Sequence, residues 1–377
     1  MEPIQLFVPT FRIEECLAEI RECLEKGWTG LGFKTVQLEN AWKEYTGFPS
    51  AHFLNSATAG LHLAVRLLKE QGGWAAGDEV VTTPLTFVST NHVLLHEALT
   101  PVFADVDQYL CLDPASVAAR ITDRTRAVMF VGLGGNTGQL EAVAQLCRER
   151  GLKLILDASH MAGTRLNGRH AGEGCDASVF SFQAVKNLPT ADSGMICFAD
   201  ATLDEEARKW SWLGINKDTY SRTVGGGSYK WHYDVEHVGF KYNGSSIMAA
   251  LGIVALRALD QDNAYRQEIA SWYDEFLAGA GVETVPVASG CVSSRHLYQV
   301  LVDRRDEVML ALNAQQIFPG VHYRDNTLYR MYAHARGTCP RSMSASERVI
   351  SLPLHLRLRR GQVQFVARTL SEAVAND

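Results

Sequence analysis

Residues 126–160 read RAVMFVGLGGNTGQLEAVAQLCRERGLKLILDASH. Positions 126–131 form an apolar run, and the glycine-rich loop from Gly132 to Gly138 follows. Positions 140–150 carry apolar residues at helical spacing, and 153–157 form a second apolar run closed by Asp157. Strand, helix and strand within about 30 residues predict a parallel pair, because parallel strands need a long connection and a helix commonly supplies it. The pattern extends both ways. Apolar runs at 51–54, 79–83, 101–106, 177–182 and 195–198 alternate with helical patterns at 59–70, 90–97 and 114–121. Seven strand candidates in one block predict a large α/β unit with a mostly parallel sheet covered on both faces.

Periodicity weakens from 200 to 245, a stretch rich in Trp, Tyr, Gly and charge (Trp210, Trp212, Gly225 to Gly227, Trp231), which reads as an irregular excursion. A long helical pattern spans 247–278, and segments at 282–287, 296–302, 308–315 and 361–375 fit a small α+β domain. Ser351-Leu352-Pro353 reads as a stop before the last helix. The expected division is a large α/β domain over 1–245, then a connecting helix and small C-terminal domain over 246–377. A chain of 377 residues with 46% hydrophobic content can fill two such cores.

A net charge of -6 with scattered Lys and Arg argues against nucleic acid as a partner. No signal peptide or membrane-length apolar run is visible, so a cytoplasmic protein without a membrane partner is expected. The eight cysteines include no C-x-x-C pair, which favours structural thiols over a metal site.

In open parallel sheets ligands gather at the carboxyl ends of strands. Four such places carry chemistry. Asn55-Ser56-Ala57-Thr58-Ala59-Gly60 joins a strand to a helix, where small residues and free N–H groups suit a phosphate; a plain N-cap is the simpler reading. Asp157 is a carboxylate at the end of a buried strand, either capping a turn or facing a cationic ligand nitrogen. Lys186, after Ser181-Phe182-Gln183-Ala184-Val185, is either a solvated lysine or an amine able to form an imine once its pKa is lowered. Phe87 is either a core residue or a flat face for a ring. One ligand satisfies all four: pyridoxal 5'-phosphate, with a ring cation, a phosphate and an aldehyde.

Two other classes compete. The loop from Gly132 to Gly138, followed by a helix and by Asp157, approaches the layout of a dinucleotide site and would make the chain an NAD(P)-dependent oxidoreductase. Its spacing is not G-x-G-x-x-G, and it leaves Ser56 to Thr58 and Lys186 without a task. A non-catalytic relative retaining the fold is the third class.

The chain resembles the DegT/StrS type of pyridoxal-phosphate nucleotide-sugar aminotransferases. The likeness rests on Gly27-Trp28-Thr29-Gly30-Leu31-Gly32, on Asn55 to Leu61, on Gly77-Asp78-Glu79-Val80 leading into Thr86 to Thr90, and on Leu156-Asp157-Ala158-Ser159-His160. It continues through Ser181-Phe182 with Lys186, Phe240-Lys241-Tyr242-Asn243, Ala249-Ala250 with Gly252, and Ser351 to His355. The resemblance implies a fold-type-I transferase with a mixed, mostly parallel seven-stranded sheet, acting as a homodimer with shared sites. It implies that Lys186 holds the cofactor as a Schiff base, that Ala57, Thr58 and Ser181 hold its phosphate with Ser56 also among the cofactor-binding residues, and that Asn243 reaches in from the partner chain. Phe87 would stack on the ring, Asp157 would bind its nitrogen, and His160 would lie beside it.

Sugar contacts are expected from Trp28, Thr29, Gly30, His322 and Tyr323. The implied reaction moves an amino group from L-glutamate to C3 or C4 of a nucleotide-linked keto-deoxysugar, giving an amino sugar, with freed Lys186 as general base. Two departures bear on which sugar is accepted. Ala191-Asp192-Ser193-Gly194 replaces the family's Gly-Glu-Gly-Gly, and Gly132 stands where the family has a His. Some relatives carry His in place of the lysine and are dehydratases; Lys186 argues against that variant.

Overall fold

The computed structural model describes residues 2–217, 220 and 233–375. Seven strands form the main sheet: β1 (His52–Leu54), β2 (Glu79–Thr82), β3 (Thr100–Phe103), β4 (Thr125–Val131), β5 (Lys153–Asp157), β6 (Ala177–Ser181) and β7 (Gly194–Phe198). Their spatial order is β1-β7-β6-β5-β4-β2-β3. Pairs β2/β3, β2/β4, β4/β5 and β5/β6 are parallel, whereas β7 runs antiparallel to both β6 and β1. The mixed, mostly parallel sheet expected from the sequence is therefore present, and every strand except β7 ends at the same edge.

Strand alternation divides the sheet's side chains between two cores. Val128, Phe130, Leu154, Leu156, Phe180 and Phe182 point to one face, where Leu38, Trp42, Ala249 and Ile253 cover them. Ala127, Met129, Ile155, Val179 and Ile196 point to the other and meet Leu61, Leu63, Leu67 and Trp210. The helix Ala57–Gly72 starts where Ser56 Oγ accepts the Ala59 N–H at 3.1 Å, and ends at Gly73, whose φ of 60° a glycine adopts without strain. A third core gathers Ile269, Tyr273, Leu277, Tyr298, Val300, Ile350, Leu352, Val366 and Leu370 around an antiparallel sheet of Glu283–Thr284, Tyr298–Leu301 and Val349–Leu352.

Three expectations change. The excursion expected from residue 200 begins instead with a helix, Ala201–Ser211. Asp200 caps it, Asp204 pairs with Arg208 one turn on at 3.0 Å, and Leu203, Ala207 and Trp210 bury one stripe; the dense charge on the other face hid that period. Gly225 to Gly227 and Trp231 lie outside the described residues. The pattern at 247–278 is two helices, Ser246–Arg257 and Leu259–Leu277, broken at Ala258. The first buries Ala249 and Ile253 against the main sheet and the second buries Ile269 and Tyr273 in the third core, so the break turns one apolar stripe toward two targets. Ser351 and Leu352 belong to a strand, and Pro353 follows that strand; the last helix starts only at Arg360.

All eight cysteines are free thiols, seven of them buried. Among the described residues no helix is long and apolar enough to cross a membrane.

Trp42 is fully buried and meets Phe180 and Phe182 edge-on at 5.0 and 5.2 Å, beneath the end of β6. Replacing it with alanine should cost about 3–5 kcal/mol of stability. Equilibrium denaturant unfolding checks this; a loss below about 1 kcal/mol would show that the cavity collapses.

Candidate active site

The carboxyl ends of β1, β2, β4, β5 and β6 meet at a cavity of about 430 Å³. The ends of parallel strands deliver polar residues there while the strands themselves stay apolar and buried. Ser56, Ala57, Thr58, Phe87, Asp157, His160, Ser181, Lys186, His322 and Tyr323 all line it. The sequence candidates outside it within the single chain are Trp28, Thr29, Gly30 and Asn243.

Asp157 closes β5 and is 5% exposed. Its Oδ2 accepts from Thr90 Oγ1 at 2.8 Å, and its Oδ1 accepts from Ser159 Oγ at 2.6 Å and from the Ser159 N–H at 3.1 Å. Two elements, the helix Val88–His96 and the turn after β5, thus fix the direction of the carboxylate.

Lys186 follows β6 in a tight turn in which its N–H donates to Gln183 O at 2.8 Å and the Val185 N–H donates to Gln183 Oε1 at 3.0 Å. Burial pushes its amine down to about 8, with the negative charge of Asp157 opposing. That Asp157 acts on the lysine at all places the two groups in one electrostatic environment. The Lys186 Nζ also lies 3.5 Å from His296 Nε2.

Across the cavity, the helix Ala57–Gly72 leaves its first N–H groups, those of Ala57 and Thr58, without an intrahelical acceptor. The positive end of the helix dipole adds to them. Gly194 of β7 allows this loop to sit against the sheet, since a Cβ there would come 2.7 Å from the Ala57 nitrogen. Ser181, at the end of β6, supplies a hydroxyl on the same wall.

His160 accepts the Gly134 N–H at its Nδ1 (3.1 Å), which leaves its Nε2–H to donate to Tyr323 Oη at 3.2 Å. Burial, with the charge of Lys186 second, holds this imidazole well below its ordinary pKa and therefore neutral. Phe87 is 56% exposed and tilted against Tyr323 at 6.0 Å, so it is no core residue. His322 places its Nδ1 2.9 Å from Ser351 Oγ, and burial lowers its pKa to about 4.

The loop from Gly132 to Gly138 does different work from the one that a dinucleotide site would need. Leu133, Gly134 and Gly135 are buried. The Gly132 N–H donates to Asp157 O, the Gly134 N–H is spent on His160, and Gly134 O accepts from His296 N at 3.1 Å. A Cβ on Gly132 would overlap Met161 Sδ at 1.9 Å, so this glycine admits a neighbouring side chain. With those N–H groups turned inward, the oxidoreductase reading fails.

Trp28 packs edge-on against Tyr220 at 5.1 Å, while Thr29 O and Gly30 O accept from Ile247 N and Ser246 N at the start of a helix. Asn243 bridges to Leu54 at the end of β1 and donates Nδ2 to Gly244 O. Its Oδ1 is buried with no hydrogen-bond partner among the described residues. Residues that sequence reasoning left without a role include Thr90, Ser159, Gln183 and His296; Asp192, which stands in one of the two departures from the family pattern, lines the cavity. Ser159 carried a signal, as a hydroxyl two residues after the acid; Thr90 and His296 carried no local one, because their contacts come from distant segments.

The DegT/DnrJ/EryC1/StrS aminotransferase family model matches residues 11–371. The chain is 34% identical over 374 residues to the spore coat polysaccharide biosynthesis protein SpsC of Bacillus subtilis (strain 168), covering 96% of this chain and 95% of that protein. The aminotransferase TlmJ from Streptoalloteichus hindustanus superposes with a TM-score of 0.90 at 33% identity over 99% of both chains. The sugar aminotransferase CalS13 from Micromonospora echinospora gives 0.88 at 28% identity, over 99% of this chain and all (100%) of that one. Enzymes of this family use pyridoxal phosphate. The chain belongs to the DegT/DnrJ/EryC1/StrS aminotransferase family and is a pyridoxal-phosphate-dependent sugar aminotransferase.

Proposed function

We propose that Lys186 carries the cofactor and that the enzyme moves an amino group from L-glutamate to C3 or C4 of a nucleotide-linked keto-deoxysugar. The observation that carries this reading is one cavity holding a half-buried amine near pKa 8, a fixed carboxylate and a free helix N-terminus. The residues fit the group. Asp157 would pair with the ring nitrogen, Ser56 to Thr58 and Ser181 would hold the phosphate, Phe87 would cover the ring face, and His160 would lie beside it. Asn243, with an unpartnered buried oxygen next to β1, fits a role in a neighbouring subunit's site, and we propose a homodimer on that ground.

When bound, pyridoxal phosphate offers an aldehyde to an amine and a protonated ring that draws electron density from the carbon beside the nitrogen. The protein does the rest. Lys186 would hold the group through its amine, and the same Nζ, when free, would take the proton from that carbon through its lone pair. A pKa near 8 leaves a useful fraction of this amine unprotonated at neutral pH, where an ordinary lysine has almost none. Asp157 keeps its partner nitrogen protonated, and its bonds to Thr90 and Ser159 prevent it from turning away. Neutral His160 supplies a hydrogen-bonding group without adding a second positive charge beside Lys186.

Sugar contacts are proposed at His322 and Tyr323, which line the cavity, and at Trp28, Thr29 and Gly30, which stand outside it. We also propose a cytoplasmic enzyme divided into a large part over 1–245 and a small part over 246–377, the helices in 246–277 serving both.

Lys186→Ala should abolish transamination and the imine absorbance together; a variant that keeps either one refutes the assignment. Asp157→Asn should retain cofactor and lose most of its turnover, and steady-state kinetics with glutamate and a keto-sugar panel will tell. In the cofactor-free chain, Lys186 protonates near pH 8 when folded and near 10.4 when unfolded. The unfolded state therefore binds more protons between these values, and stability rises as pH increases through that window. Lys186→Met removes the penalty and should stabilise the cofactor-free chain at pH 7 by roughly 1–3 kcal/mol. The gain should shrink by pH 10.5, and chemical denaturation at the two pH values checks it.

A further inference from the structure

His296 is 1% exposed and lies behind Lys186, with its ring stacked on Phe7 at 5.2 Å and 4.3 Å from the ring of His160. Its Nδ1 is 3.0 Å from Asn187 Oδ1. The Asn187 amide can face only one way, because its Nδ2 donates to Asn263 Oδ1 at 2.7 Å and to Ser294 O at 2.6 Å. A carbonyl oxygen only accepts, so Nδ1 of His296 carries the ring hydrogen and Nε2 presents a bare lone pair to Lys186 Nζ, 3.5 Å away. The neighbouring His160 is set the opposite way, accepting at Nδ1 and donating from Nε2. Two adjacent imidazoles thus hold fixed and opposite tautomers, one directed to the cavity rim and the other to the lysine.

We propose that His296 is a positioning residue for the transamination: its Nε2 lone pair receives an N–H of the free Lys186 amine and fixes the direction in which that amine exchanges protons. The inference rests on Lys186 being the proton-transferring residue. A lysine side chain has many rotamers, and a single fixed acceptor removes much of the freedom that would otherwise misdirect it. In the transfer, Nζ takes the substrate proton through its own lone pair and becomes an ammonium. One of the three N–H groups stays on His296, one proton returns to the substrate framework, and His296 neither gains nor loses a proton. Burial first, and then the positive charges of Lys186 and Arg266 near it, keep its ring neutral, so it remains an acceptor. The carboxylate of Asp157 acts on Lys186 from the cavity side.

Three measurements test this. Nitrogen NMR of the cofactor-free full chain with labelled histidine, with the His296 signal assigned by its loss in His296→Gln, should show hydrogen on Nδ1 and a bare Nε2. A hydrogen on Nε2 overturns the proposal, and this measurement needs no folded leucine variant. Trace acetylation of the cofactor-free chain, read at Lys186 by mass spectrometry across pH, should give a midpoint near 8 in the native chain. His296→Leu should lower that midpoint by about one unit, because the ammonium loses its acceptor, while His296→Gln, with a carbonyl oxygen, should recover part of the shift. An unchanged midpoint in the leucine variant overturns the proposal. In the loaded enzyme, His296→Leu should keep the imine absorbance and KM while kcat falls about tenfold. A raised KM at unchanged kcat overturns it. Retention of the imine band by Lys186→Ala brings down the assignment of Lys186 and this inference with it, whereas the other failures leave that assignment standing.

Discussion

A primary amine half withdrawn from water is the constraint on which this site is organised. An isolated buried ammonium is costly, and the cost is met here by partial neutralisation, with the amine of Lys186 drawn down to about 8. Every nearby polar group is consistent with that state. His160, His296 and His322 are each held neutral by their own burial, so three rings line the amine without charging against it. The nearby carboxylate is Asp157, whose direction is fixed by donors from Thr90 and Ser159. Reactivity at the lysine is therefore a property of the surrounding packing, as much as of the side chain itself.

The glycine-rich loop after β4 shows how one local sequence can serve two unrelated designs. Glycines after a strand and before a helix suit a pyrophosphate only when their N–H groups face outward. Here Gly134 adopts a φ of 66°, turns its N–H to the His160 ring and its carbonyl to the backbone N–H of His296, and so ties one imidazole and the backbone that carries the other to a single residue. Gly132 gives up its side chain so that Met161 can fill the space.

The seven-stranded sheet was legible because buried parallel strands are short apolar runs with polar closing residues, and 153–157 was read to the residue. The gathering of Lys186, Asp157 and Ser56 to Thr58 at one cavity was legible for the same reason: each lies at or just beyond a strand end, and strand ends in such sheets face ligands. The helix Ala201–Ser211 was missed because its charged face outnumbers its buried stripe. The break at Ala258 was missed because no proline or glycine marks it; two cores compete for one apolar stripe, which only tertiary packing decides. His296 was invisible for a deeper reason. Its role depends on Asn187, Asn263 and Phe7, which sit far from it in sequence, and no local window contains them.

That dependence extends to the first residues of the chain. Ile4–Gln5 pairs in parallel with Ile317–Phe318, Leu6 O accepts from Leu354 N–H, and Phe7 then stacks on His296. A two-residue strand contributes little pairing energy alone, yet Ile4 is 2% exposed in the third core and anchors the segment there. The N-terminal segment thereby connects the small core to the back wall of the site. Its contact at Phe7 is apolar and faces one side of a ring whose other side meets His160. A ring clamped on both faces can still tip about its hydrogen-bonded edge, and Asn187 removes that freedom. The direction of the lysine amine is thus set by residues drawn from the first strand, the lysine's own turn and the segment leading into Tyr298–Leu301, which explains why no shorter piece of the chain could encode it.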